Sequence, residues 1–134
     1  MRILGIDPGY AIVGFGVLEA QRGQARLVRC GAINTPAGVP MPQRLVQIQA
    51  DLETLIHQFA PDVMAIEELF FNTNVTTGIG VAQARGVILM TAVHLRIHPL
   101  PGQAGGGGVR QGGKAPGDGH DPPAAPSGRR PQTR

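Results

Sequence analysis

Ile3-Leu4-Gly5-Ile6-Asp7-Pro8-Gly9 opens the chain with a short apolar run that stops on a carboxylate and a turn. A run of this length, bounded by a turn signal, reads as a buried strand at about residues 2–7. A second strand follows at about 12–20. The Gln21-Arg22-Gly23-Gln24 segment turns the chain into a third at about 25–34, which gives an antiparallel meander with a short hairpin. Pro36, Gly38, Pro40 and Pro42 make a loop. From about Pro42 to Ala60 the residues Leu45, Ile48, Leu52, Leu55, Ile56 and Phe59 recur at spacings of three and four, predicting an amphipathic helix with one buried stripe. Pro61 stops it. Asp62 to Glu67 is a fourth apolar strand, again ending in a carboxylate, and after a polar loop, 71–77, a second helix spans about 78–97. Its Gly78, Ala82 and Gly86, with neighbouring Ala84, predict unusually close packing against another element.

Three antiparallel strands, helix, strand, helix is the order of an α/β fold. The expected architecture is a mixed sheet covered by helices, with the fourth strand returning parallel to the first. That return brings Asp7 and Glu67 together at the carboxyl edge of the sheet. Paired strand-end carboxylates suit Mg²⁺, which takes hard oxygen ligands, keeps several waters and completes its shell with substrate phosphate. Two such ions can activate a water and stabilise the leaving oxygen in phosphodiester hydrolysis. Gly9 lets the turn after Asp7 approach a phosphate. Taken singly, the Asp-Pro-Gly turn is only a turn, and Glu67-Glu68 is only a solvated strand end.

The composition changes at about residue 98. Residues 99–134 contain 10 Gly and 7 Pro, with Leu100 and Val109 as the large apolar side chains. Such a stretch is expected to be a disordered tail behind a folded domain at 1–98, whose sheet ends at the fourth strand. Asp7, Glu19, Asp51, Glu53, Asp62, Glu67 and Glu68 balance seven Arg in residues 1–98, so the net charge of +3 resides in the tail. The high pI of about 10 therefore says little about affinity for nucleic acid. Cys30, the single cysteine, is expected to be a buried small hydrophobe in a strand, and the lack of a disulfide partner points to a reducing cytoplasm. No basic leader or membrane-length apolar run is present, so an intracellular, soluble protein is expected.

Ile3 to Gly9 followed by Gly14-Phe15-Gly16-Val17, then Ala65-Ile66-Glu67-Glu68-Leu69-Phe70, then Ala82-Gln83-Ala84-Arg85-Gly86-Val87, resembles the RuvC family of bacterial Holliday-junction resolvases. The resemblance covers roughly residues 1–97 and implies an RNase H-like fold, incomplete at its C-terminus. It implies that Asp7 and Glu67, rather than Glu68, are catalytic metal ligands for Mg²⁺, two ions per site in a complete protein, with Mn²⁺ able to substitute. Phe70 matches the aromatic that enters among bases near the junction point, and Phe71, Asn72, Asn74 and Arg85 are implied DNA contacts. The expected substrate is four-way junction DNA, cut symmetrically in recombination and repair. The helix at about 78–97 is the implied homodimer contact, and a branch-migration helicase complex is an implied partner.

The family's second pair of acids, carried on a C-terminal helix, has no counterpart here. Asp118 and Asp121 have a suitable spacing, but Gly-Asp-Gly-His-Asp-Pro-Pro cannot be helical. Rereading possible codons for Gln103 to Ala115 one base along yields a stretch close to the family's pattern. The tail is therefore expected to be out of frame, and the chain as given inactive on junctions. Two other readings stand beside this one at the level of sequence. One is a non-catalytic fragment that dimerises or binds junctions. The other is a piece of an actin-like ATPase, whose first strand also ends in an Asp-x-Gly turn.

Overall fold

The computed structural model describes residues 1–69 and 74–100. Five strands form one sheet in the order β3-β2-β1-β4-β5. They are β1 (Arg2–Asp7), β2 (Ile12–Gln21), β3 (Gln24–Asn34), β4 (Val63–Ile66) and β5 (His98–Pro99). Helix α1 spans Met41–Phe59 and α2 spans Val75–His94. β1 pairs antiparallel with β2 and parallel with β4, as the sequence pattern demands.

The β2–β3 hairpin turns at Arg22 and Gly23, both with positive φ (50° and 78°). Two consecutive residues of that kind match the right-handed twist of the strands they join. Farther along, a bulge between Val17 and Leu18 shifts the pairing with β3. α1 opens with Pro42 in its first turn, where the missing N–H would have had no helical partner. It closes at Ala60, in the left-handed conformation (φ 44°), whose N–H bonds to the Ile56 carbonyl at 2.8 Å. Pro61 then prevents continuation.

Both helices lie on the same face of the sheet. Leu4, Ile6, Val13, Val17, Ile33, Met64 and Ile66 from the strands meet Ile48, Leu52 and Ile56 of α1 and Ala84, Ile88 and Ala92 of α2 in one buried cluster. Burying each of the larger side chains is worth roughly 1.5–3 kcal/mol, so this layer is what holds the helices down. At the opposite end of β1 from Asp7, Arg2 ties three segments together. Its Nε donates to Glu19 at 2.9 Å, its Nη1 to the Phe59 carbonyl at 2.8 Å, and its backbone N–H to Asp62 Oδ2 at 2.7 Å.

Three expectations are corrected. The sheet does not end at β4: His98 and Pro99 pair parallel with Val63 and Met64, and the Leu100 N–H reaches the Met64 carbonyl at 2.9 Å. Pro99 cannot donate to a ladder, but at a sheet edge one side needs no donor, so proline is tolerated there. Cys30 is exposed rather than buried, because β3 is the other edge strand and only Ile33 along it is covered. The face of Gly78, Ala82 and Gly86 is not the one that packs on the core: Gly78 and Ala82 are half-buried and Gly86 is exposed, whereas Ala84, with Gly80, is buried. The expected disorder of the tail falls on residues 101–134, outside the described residues.

Candidate metal centre

Strand alternation sets the site. Leu4 and Ile6 of β1, and Met64 and Ile66 of β4, point into the helix-covered face. Gly5 and Asp7, with Ala65 and Glu67, therefore belong to the opposite side. Asp7 is the last residue of β1. Glu67 lies one residue beyond β4, yet its N–H donates to the Ile6 carbonyl at 3.0 Å, extending the parallel ladder and setting it beside Asp7. Both side chains are exposed.

The two carboxyl groups interact directly. A hydrogen bond with the Asp7 carboxyl raises the Glu67 pKa above its ordinary value, the Asp7 negative charge raises it further, and slight desolvation adds to both. Like charges at this distance disfavour ionising both acids, which is why the neighbour's carboxyl moves the Glu67 pKa upward. The donor set is two hard, anionic oxygen groups on rigid strand ends, which fits a small divalent cation. Asp7 and Glu67 are the residues that would hold it. Among the described residues no group of three or more His, Cys, Asp or Glu converges.

The surroundings keep the site open. Gly14 lies across from Asp7 in the β1–β2 register, and a Cβ there would stand 3.4 Å from the Asp7 Cβ. A shallow groove of about 450 Å³ runs from Asp7 over Gly5, Gly14, Gly16 and Gly31 and along Phe15. Arg85 of α2 reaches the same corner, where its Nε donates to the Glu67 carbonyl at 3.2 Å. Asn74 caps α2 by accepting the Thr77 N–H at 3.3 Å, so at least part of its side chain's capacity serves the helix start. Asp7, Glu67 and Arg85 are thus brought together, and Asn74 opens the helix that carries Arg85. Phe70, Phe71 and Asn72, and likewise Asp118 and Asp121, lie outside the described residues.

The sequence reading missed two residues beside this centre. Tyr10, directly after the Asp7 turn, has its ring against Gly80 of α2. An aromatic beside a turn and a glycine 70 positions later carry no local signal of their contact. Only the sheet topology joins them.

The family model for crossover junction endodeoxyribonuclease RuvC matches residues 3–100. The RuvC of Brevibacillus brevis is 55% identical over 92 residues, covering 69% of this chain and 55% of that protein. The RuvC of Moorella thermoacetica is 53% identical over 94 residues, covering 70% of this chain and 56% of that one. This chain therefore spans little more than half the length of these relatives. The solved structure of T. thermophilus RuvC in complex with Holliday junction substrate superposes with a TM-score of 0.68 at 29% identity, over 74% of this chain and 63% of that one. A second Thermus thermophilus RuvC structure gives 0.65 at 30% identity, over 74% and 61%. The expected RNase H-like mixed sheet is the one these structures share with it. With residues 3–100 matched by that model and relatives more than half identical over some 70% of its length, the chain belongs to the crossover junction endodeoxyribonuclease RuvC family.

Proposed function

We propose that this chain is the part of a Holliday-junction resolvase subunit that carries the first two acids of a metal-dependent phosphodiester-cleaving site. The observation that carries this reading is the Asp7–Glu67 pair: two carboxyl groups adjoin at an exposed sheet edge, and Asp7 raises the Glu67 pKa above its ordinary value. Mg²⁺ is the ion whose ligand preference they meet, and Mn²⁺ can substitute. When bound, the cation supplies charge at the scissile phosphate and activates the attacking water. Asp7 and Glu67 themselves hold that charge in place and, because ionising Glu67 beside Asp7 is disfavoured, couple its binding to pH. Arg85, bonded to the end of β4, keeps Glu67's backbone from shifting and stands where a DNA phosphate would pass.

The substrate in this reading is four-way junction DNA, as it is for the T. thermophilus relative solved with it. Phe70, Phe71, Asn72 and Asn74 are the proposed contacts near the junction point, and the cytoplasm, where the DNA lies, is the compartment. Homodimerisation through α2 is supported by its outer surface, where Val75, Ile79, Met90 and Val93 are all more than half exposed. Apolar residues at such spacing on one helix suit a second copy. A branch-migration helicase complex is the further partner. With two acids rather than a full cage, this chain alone should hold the metal weakly and leave junctions uncut.

The test is Mn²⁺ binding and four-way junction binding by the purified chain, each measured beside Asp7→Asn, together with a cleavage assay in Mg²⁺ or Mn²⁺. Asp7-dependent metal binding, with junction binding and without cleavage, is expected. Metal binding indifferent to Asp7→Asn overturns the assignment of the site, and Asp7-dependent cleavage overturns the inactivity of the chain alone.

A further inference from the structure

Tyr10 stands at the end of the turn that begins with Asp7, and three contacts fix it. A Cβ at Gly80 of α2 would lie 2.7 Å and 2.9 Å from two carbons of the Tyr10 ring, so ring and helix backbone are already in contact and no side chain fits between them. On the α1 side, the Arg44 guanidinium carbon lies 5.6 Å from the ring centroid, within cation–π range. The same absent Gly80 Cβ would also stand 3.2 Å from Met41 Cε, which places the start of α1 at this contact. The backbone is held as well: the buried Thr35 hydroxyl donates to the Tyr10 carbonyl, and the Thr35 N–H donates to the Ala11 carbonyl at 2.9 Å. Within the turn, a side chain at Gly9 would collide with the Ile12 carbonyl oxygen. The segment between the two ends of the β1–β2 connection therefore has one well-packed arrangement, keyed by the ring.

We propose that Tyr10 is a positioning residue for the metal centre: its ring, wedged between Gly80 and Arg44, clamps the Pro8–Ala11 turn to both helices and so sets where the Asp7 carboxylate stands relative to Glu67. This rests on the metal reading given above. A carboxylate at the end of a strand can rotate with the turn that follows it. Holding a cation between two acids requires that their spacing be fixed before the ion arrives, and supporting partners of metal ligands typically contribute 10–100-fold to affinity. Here the support is packing rather than a hydrogen bond to the ligand. The packing surface on α2 is a glycine, so the register of α2 against the sheet enters the geometry of the metal site directly.

The experiment uses the full chain, with Mn²⁺ alone as the probe. Mn²⁺ affinity is read by the electron paramagnetic resonance of free ion, amide hydrogen exchange of residues 9–12 is read without metal, and folding is followed by circular dichroism. Tyr10→Phe should keep both affinity and protection, because the ring's contacts stay. Tyr10→Ala and Gly80→Ala should each weaken Mn²⁺ binding about tenfold and speed exchange in residues 9–12 at temperatures where the fold is intact. The double variant should be no weaker than Tyr10→Ala, since the two changes act on one contact. If Tyr10→Ala does not fold, Tyr10→Leu, which keeps apolar volume but not the flat ring, takes its place with the same expectation. Wild-type affinity in the folded Ala or Leu variant, alongside loss of binding in Asp7→Asn, overturns the clamp and leaves the metal site standing. Wild-type binding in Asp7→Asn overturns the metal site and the clamp with it, whatever the exchange rates.

Discussion

The two ends of β1 treat their acids in opposite ways. At the N-terminal end Glu19 meets Arg2 at 2.9 Å, and that hydrogen bond holds its pKa below the ordinary value. At the C-terminal end Glu67 meets Asp7, and its pKa is raised. Both pairs flank an end of β1, the first half-buried and the second exposed, and the sign of the neighbour differs. One end is arranged for stability. The other places two acids side by side, an arrangement that folding does not require and that the proposed metal centre would use.

The largest effect is expected from breaking that pair. Asp7→Asn should lower Mn²⁺ affinity by at least about tenfold while raising the metal-free melting temperature at neutral pH. A titration that leaves Mn²⁺ binding unchanged would erase the difference between the two ends. Next in size, Ile88→Ala, which hollows the layer between α2 and the sheet, should cost about 2–5 kcal/mol in denaturant unfolding. It should leave the directions of both pKa shifts intact, because it touches neither end. Arg2→Ala should lower the melting temperature by about 4 °C with no change in Mn²⁺ affinity; a coupled change would mean that the two ends are not independent.

The pH dependence separates the ends further. Glu67, with its pKa raised on folding, contributes stability that is present at low pH and lost as pH rises through its folded pKa. Glu19, with its pKa lowered, contributes stability that is present above its unfolded pKa and lost as pH falls through the folded one. In divalent-free buffer, unfolding curves across the acid range should therefore show a loss on each side. Asp7→Asn should flatten the loss on rising pH, and Arg2→Ala the loss on falling pH. The smallest effect belongs to Glu68→Gln: it should leave Mn²⁺ affinity within about twofold, and a tenfold loss would make Glu68 the second ligand.

The carboxylate pair was legible in the sequence because two apolar runs each stop on an acid, and parallel pairing of those runs needs no other information. Helix α1 was legible because Ile48, Leu52 and Ile56 keep a strict period, whereas α2 opens at Val75, inside the stretch 71–77 that read as a loop, and closes at His94. Contacts across the sheet were not legible. Nothing local marks β3 as an edge, so Cys30 read as buried. Nothing local marks His98 and Pro99 as a strand, since two residues make no pattern and one of them lacks a donor. Tyr10 and Gly80 carry complementary shapes whose meaning appears only once β1 and α2 are stacked.

Leu4 and Ile6 face the helices while Gly5 and Asp7 face away, and this ties chemistry to parity. Lengthening or shortening β1 by a single residue would send position 7 into the oily layer and push Leu4 or Ile6 out of it. A chain that slips its register by one thus forfeits its core and the Asp7–Glu67 pairing together, so a misaligned copy loses the proposed metal centre along with the packing that would hold it.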